Sequence, residues 1–242
     1  MAGDSGFGVL LGRLSARRNL DIGALSRLAG VAESELAAVF DGVPPSPSLL
    51  RRLAPALGLH AGDLFAIAAV PVPDDLTPVD PNAGRWVPRL VRDALSLAPR
   101  QRGELRHRVA SLPQQERPAR PPRAHPHDPA GFAPGAVVLR LLGNRNLGWT
   151  DIARMSADVT GRYWSAATYG QVGMGREPLT PDLLIDFSTL LDIPVDDLAA
   201  LAGSTPVGEP PAALGVAELI WDVRRLTADQ VEHVHHIAES MR

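Results

Sequence analysis

The side chains able to do specific chemistry gather in two stretches of this 242-residue chain. The first is Thr160-Gly-Arg162-Tyr163-Trp164-Ser165-Ala-Ala-Thr-Tyr169, with Arg176 shortly after it. It combines a planar guanidinium fork, hydroxyls and aromatic rings. A fork of N–H donors fits paired acceptors in one plane, and a hydroxyl one turn on can donate or accept beside it. The second stretch holds His233, His235, His236 and Glu239 in the last expected helix. Pairs such as His236/Glu239 and His235/Glu239 lie one helical turn apart, a spacing that suits a metal ion. The zinc-protease spacing is missing, and two or three residues of one helix leave such a site incomplete. A solvated or interfacial helix face is therefore expected, and no metal or other cofactor is assigned. No serine elbow, phosphate loop or paired-carboxylate motif appears, and Gly173-Met174-Gly175 is too short for a nucleotide fingerprint. The chain is not expected to be an enzyme.

Composition narrows the classes further. Cysteine is absent, which excludes disulfides and thiolate metal sites. All 24 basic residues are arginine, and with abundant alanine and proline this points to a high-GC bacterial genome. The net charge is -3, so any affinity for a polyanion must rest on local placement of arginines. No basic region precedes the first apolar run, so it does not read as a signal peptide. The longest apolar run, Leu64 to Val72, is far short of the roughly 20 residues of a membrane span, and a cytoplasmic location is expected.

The elements that position these residues are organised around Leu20 to Ala68. A short apolar helix through Leu25 and Leu28 ends at Gly30, where a residue without Cβ can take the tight turn. A second helix follows at once over Ala32 to Phe40, with Leu36, Val39 and Phe40 at helical spacing and Gly42 closing it. Ser46-Pro47 opens the next as cap and first-turn proline. Leu49, Leu50, Leu53, Leu57, Leu59, Asp63, Leu64 and Ile67 complete the pattern, and a first helix is expected over Phe7 to Arg18. Over residues 7 to 68 this arrangement resembles the five-helix domain of the phage repressor/Cro-like (XRE-type) helix-turn-helix transcriptional regulators.

The same pattern recurs further along. Gly8, Arg13, Leu14, Arg18, Asn19 and Leu20 match Gly135, Arg140, Leu141, Arg145, Asn146 and Leu147, and the spacing holds through Arg27/Arg154. One added residue near Asp158 and a longer loop then bring Ser46-Pro47 onto Thr180-Pro181, and Asp63-Leu64 onto Asp197-Leu198. Self-similarity of this kind means the architectural unit is used twice. Each copy is followed by a pair of amphipathic helices, Gly84–Leu95 with Pro99–Leu112 and Leu214–Arg225 with Ala228–Met241, with Thr227 and Gln230 forming a capping box. Their apolar stripes, which include Trp86, Leu90, Val91, Leu219, Ile220 and Trp221, are wide for one small helix pair. They predict pairing with each other or across a homodimer. Proline-rich residues 113–134, with Arg117, Arg120 and Arg123, are expected to be an extended, solvated tether.

The resemblance implies where contacts to double-stranded DNA would lie. In that family the helix after the turn enters the major groove and its first residues read base edges. In the first half these positions are Ala32, Glu33, Ser34, Glu35 and Ala37, with Asp41 further on. No basic residue accompanies them, two carboxylates there repel phosphates, and Arg27 on the preceding helix is the added candidate contact. In the second half the reading helix is expected from Thr160, as N-cap, through Tyr163 to Tyr169. Arg162 is then placed to fork onto guanine, Ser165 to reach a base or phosphate, and Trp164 to take the core position of Leu36. Arg176 falls where the family contacts backbone, and Arg145 and Arg154 add charge. Where the family often carries a phosphate-binding glutamine, this chain has Ile22 and Trp149.

The expected fold is thus all-α. It comprises a first helix-turn-helix domain (7–68), a helical hairpin (83–112), a linker (113–134), a second helix-turn-helix domain (135–202) and a second hairpin (214–241). The expected function is sequence-specific DNA binding in transcriptional control, with the second unit reading. The rival is a module that keeps the helix-turn-helix fold but docks proteins, favoured by the acidic first reading helix and the negative net charge.

Overall fold

The structure is a computed structural model, and it describes residues 6–118, 131–205, 208 and 215–242. Among the described residues all regular structure is helical, with no strand, and no helix is long and apolar enough to cross a membrane.

The first five helices are α1 (Phe7–Arg17), α2 (Ile22–Ala29), α3 (Glu33–Phe40), α4 (Pro47–Ala56) and α5 (Ala61–Ile67). Local chemistry sets their bounds. The Asp21 carboxylate accepts from Ala24 N at the start of α2, and Ser46 Oγ accepts from Leu49 N at the start of α4. Gly30 ends α2 in the left-handed conformation, which glycine adopts without a Cβ penalty. Two helices then follow, α6 (Val87–Ser96), entered through a 3-10 turn at Pro81–Trp86, and α7 (Pro99–Ser111).

The second set of five is α8 (Pro134–Gly143), α9 (Trp149–Thr160), α10 (Ala166–Gly173), α11 (Pro181–Leu191) and α12 (Val195–Ala202). It is followed by α13 (Val216–Asp222), a 3-10 turn at Val223–Arg225 and α14 (Ala228–Ser240). The backbone repeats as well as the order. Left-handed residues fall at matching places in the two sets: Asn19 and Asn146, Gly30 and Gly161, Gly42 and Gly175, Gly58 and Asp192, Ala69 and Gly203. A close helix approach repeats too. A Cβ at Gly8 would fall on the Val39 carbonyl oxygen, and one at Gly135 on that of Val172, so α1 meets α3 as α8 meets α10.

Across the chain the packing is reciprocal: α1 lies against α12, while α5 lies against α8. First helix on fifth helix in both directions is an isologous, two-fold-like contact inside one polypeptide. Matching ion pairs cross it. Arg18 pairs with Asp197, and Arg145 pairs with Asp63 at 2.7 Å. The hairpins meet as well, with α6 and α7 packed against α13 and α14. Here Arg106 reaches Asp222 at 3.1 Å, and at the matching place His235 lies 2.7 Å from Asp93. One hydrophobic core runs through both sets.

Two expectations change. The repeat difference near Asp158 is a whole helical turn, because α9 has 12 residues where α2 has 8. The added turn lies under α6, whose Arg92 pairs with Asp158 at 2.9 Å. The start of the expected tether is docked: Arg117 donates to the carbonyls of Pro78 and Asp74, and Pro113 O accepts from Gln230. Residues 119–130 of it, with Arg120 and Arg123, lie outside the described residues, as does Leu214, and the second hairpin is described from Gly215.

These two matched ion pairs differ in burial, and so in worth. Arg145 and Asp63 side chains are each 1% exposed, whereas Arg18 is a quarter exposed. Asp63→Ala strands a buried guanidinium and should cost about 3–5 kcal/mol. Arg18→Ala leaves buried Asp197 short of one donor that stood partly open to water, and should cost less, about 1–2 kcal/mol. Urea unfolding of the wild type and both variants checks this, and equal losses would contradict it.

Candidate nucleic-acid interface

The segment expected to read DNA in the second half is built differently from its sequence-based outline. Thr160 is the last residue of α9, not a cap, and its hydroxyl donates to Ser156 O at 2.8 Å. Gly161 ends that helix in the left-handed conformation, as Gly30 ends α2. Residues 162–164 form a loop, and Ser165 is the true N-cap of α10, its Oγ accepting from Thr168 N at 3.1 Å.

This register moves every expected reader. Arg162 sits in the loop and donates through Nε to Asp186 at 2.9 Å, with its terminal nitrogen 2.7 Å from the same carboxylate. That bond holds the guanidinium above its ordinary pKa. Trp164 Nε1 donates to the other oxygen of Asp186 at 2.9 Å. Buried Asp186 therefore clamps the loop onto α11, and Arg162 is engaged in that clamp rather than free to fork onto a base. Trp164 is only half-buried. The core position of Leu36 belongs to Tyr169, which is fully buried against Phe187 and unavailable to a ligand.

Arg145 also leaves the surface. It donates to both oxygens of Asp63 and to the carbonyls of Leu141 and Leu191, so its charge serves the contact between the two sets of helices. The remaining expected residues are solvent-facing. Tyr163 is 74% exposed, and Arg154, Arg176, Arg27 and Ser34 are exposed. Arg27 and Arg154 occupy matching places on α2 and α9.

Sequence reasoning missed the first residues of α10. The positions matching Glu33, Ser34 and Glu35 of α3 are half-buried Ala166, exposed Ala167 and half-buried Thr168, with half-buried Gln171 one turn beyond. The signal was present: aligning Gly161 with Gly30 and Gly175 with Gly42 places the helix between them. The two helices consequently differ in charge. The first turn of α3 carries Glu33 and Glu35, the latter 3.3 Å from Arg52, while α10 has no acid in its first turn. Amide, hydroxyl and methyl groups on α10 can donate, accept and pack, which suits a base edge better than a carboxylate pair does. No family model, curated protein or solved structure matches this chain.

Burial pushes the Tyr169 hydroxyl up to about 12, and the neighbouring Ser156 hydroxyl offsets this only in part, without hydrogen-bond geometry. A tyrosine ionises near 10 when unfolded, so the folded state holds the proton more tightly. Its contribution is complete below pH 10 and lost as pH rises toward 12. Alkaline absorbance titration should show one of the two tyrosines ionising only near pH 12. Tyr169→Phe should preserve stability, since the hydroxyl has no partner to lose. Ionisation of both tyrosines near pH 10 in the folded chain would place Tyr169 at the surface.

Proposed function

We propose that this chain is a transcriptional regulator that binds double-stranded DNA through two helix-turn-helix units, α2–α3 and α9–α10, of the phage repressor/Cro-like kind. The observation that carries the reading is the reciprocal packing of α1 on α12 and α5 on α8. It sets α3 and α10 in equivalent positions about one approximate two-fold axis. Duplex DNA has local two-fold symmetry, so a two-fold protein surface suits paired half-sites on one face of the helix. Here both units belong to one polypeptide, and the chain is read as its own pseudo-dimer.

The second unit is the better reader. Gln171 offers an amide for the paired acceptor and donor of adenine, and Thr168 offers a methyl and a hydroxyl. Arg154 and Arg27, at matching exposed places, are suited to phosphates on either side of the axis, and Arg176 to the backbone beside α10. The exposed ring of Tyr163 precedes the reading helix. A second reading, protein docking through α3, is favoured by Glu33 and Glu35, whose charge opposes phosphate but suits a basic partner.

The test is salt-dependent binding of the full chain to a duplex selected from a random pool. Gln171→Ala should cost about 1–3 kcal/mol on that duplex and relax preference at one position. Arg154→Ala should weaken binding to all duplexes alike and reduce the salt slope by about 1. Replacing Glu33 and Glu35 by alanine should not weaken binding. One chain per selected duplex is the expected stoichiometry. Absence of binding to any duplex at low salt would overturn the DNA reading. Strong impairment by the glutamate replacements, with Gln171→Ala unchanged, would assign reading to the first unit.

A further inference from the structure

The histidine face of α14, incomplete on its own helix, is completed from the other hairpin. One donor atom each from Asp93 on α6 and from His235 and Glu239 on α14 lie within 4.8 Å of one another. His235 Nδ1 is 2.7 Å from Asp93 Oδ2, and His235 Nε2 is 3.9 Å from Glu239 Oε1. Nδ1 and Oδ2 are both buried, and neither makes a hydrogen bond despite their proximity. Native structures seldom leave such atoms without a partner. Arg242 donates to Asp93 Oδ1 at 2.9 Å, so Oδ2 is the oxygen left over.

The matching place across the approximate two-fold axis shows what an ordinary ion pair looks like here. Arg106 stands where His235 stands, and it pairs with Asp222 at 3.1 Å and Glu218 at 3.9 Å. The residue matching Glu239 is Ala110. A guanidinium closes that contact without a third acidic group from its own helix. The second hairpin instead has an imidazole, which is a metal-ligating base, and adds a carboxylate one turn beyond it. Both differences are those that turn an ion pair into a coordination site.

We propose that Asp93, His235 and Glu239 bind a divalent transition-metal ion of the zinc class. One imidazole and two carboxylates are a donor set such an ion accepts, with a remaining position for water. Asp93 and His235 form the buried floor, and half-exposed Glu239 is the side of entry. Because its ligands come from both hairpins, the ion cross-links α6 to α14.

Zinc titrated into the full chain, followed by calorimetry and by thermal unfolding, tests this. Binding of one equivalent per chain with a rise in Tm is expected, since an ion held only by the folded state stabilises it by mass action. Glu239→Ala, at an exposed position that leaves folding intact, should weaken zinc binding by more than about tenfold and abolish the Tm rise. His235→Gln should do the same, while His233→Ala and His236→Ala should retain both. A wild type with no zinc-dependent heat and an unchanged Tm would overturn the proposal. So would zinc binding that survives Glu239→Ala, or that is lost in His236→Ala.

Discussion

The contact on which the two sets of helices depend is the buried ion pair between Arg145 and Asp63. Removing a guanidinium and a carboxylate from water is costly, and the cost is met only when nearly every donor and acceptor finds a partner. That condition is closely approached here. Both terminal nitrogens of Arg145 reach Asp63, each also reaches a carbonyl, and Asn144 adds a donor to the same carboxylate at 2.8 Å. Only Nε lacks a partner. The planar fork makes this possible, since a lysine ammonium cannot present two parallel bonds to one carboxylate.

The network spreads from that pair into the second hairpin. Arg224 lies over the Trp221 ring at 3.9 Å, with Arg145 at 5.1 Å, and His60 stacks on Trp221 at 3.6 Å. Two guanidinium groups thus share one buried acid. Burial pushes Arg224 down to about 10, with Asp63 opposing the shift and Arg145 adding to it. Arg224 meets this by donating to the Leu76 carbonyl and the Asn144 side-chain oxygen, at 2.7 and 2.6 Å. His60 is held below its ordinary pKa, first by desolvation and then by the two arginines, with Asp63 and Asp192 opposing. Fifth helix, eighth helix and second hairpin therefore meet in one polar cluster inside the common core, satisfied but for Arg145 Nε.

Much of this was legible in the sequence, and the reasons are specific. Gly30 and Gly42 mark left-handed turns, Ser46-Pro47 and Thr180-Pro181 mark helix starts, and Thr227 with Gln230 does form a capping box. Such signals are local, so they survive without knowledge of packing. What could not be read was long-range. Nothing near Arg145 distinguishes it from a solvated arginine, because its partner is Asp63, far away in the chain. Arg162 was misplaced for a related reason: the extra turn of α9 is supported by α6, and Asp186 holds the loop that follows. The metal-site candidate had the same limit, since His235 and Glu239 were visible as a pair while Asp93 lay on another hairpin.

The central claim is that the two sets of helices are one folding unit, joined through the buried cluster. Differential scanning calorimetry of the full chain tests it most directly. Shared burial of Arg145 and Asp63 predicts a single transition whose calorimetric enthalpy equals its van't Hoff enthalpy, since neither set can open without stranding a buried charge. Two resolved transitions, each with its own van't Hoff enthalpy, would contradict the account and make the halves independent.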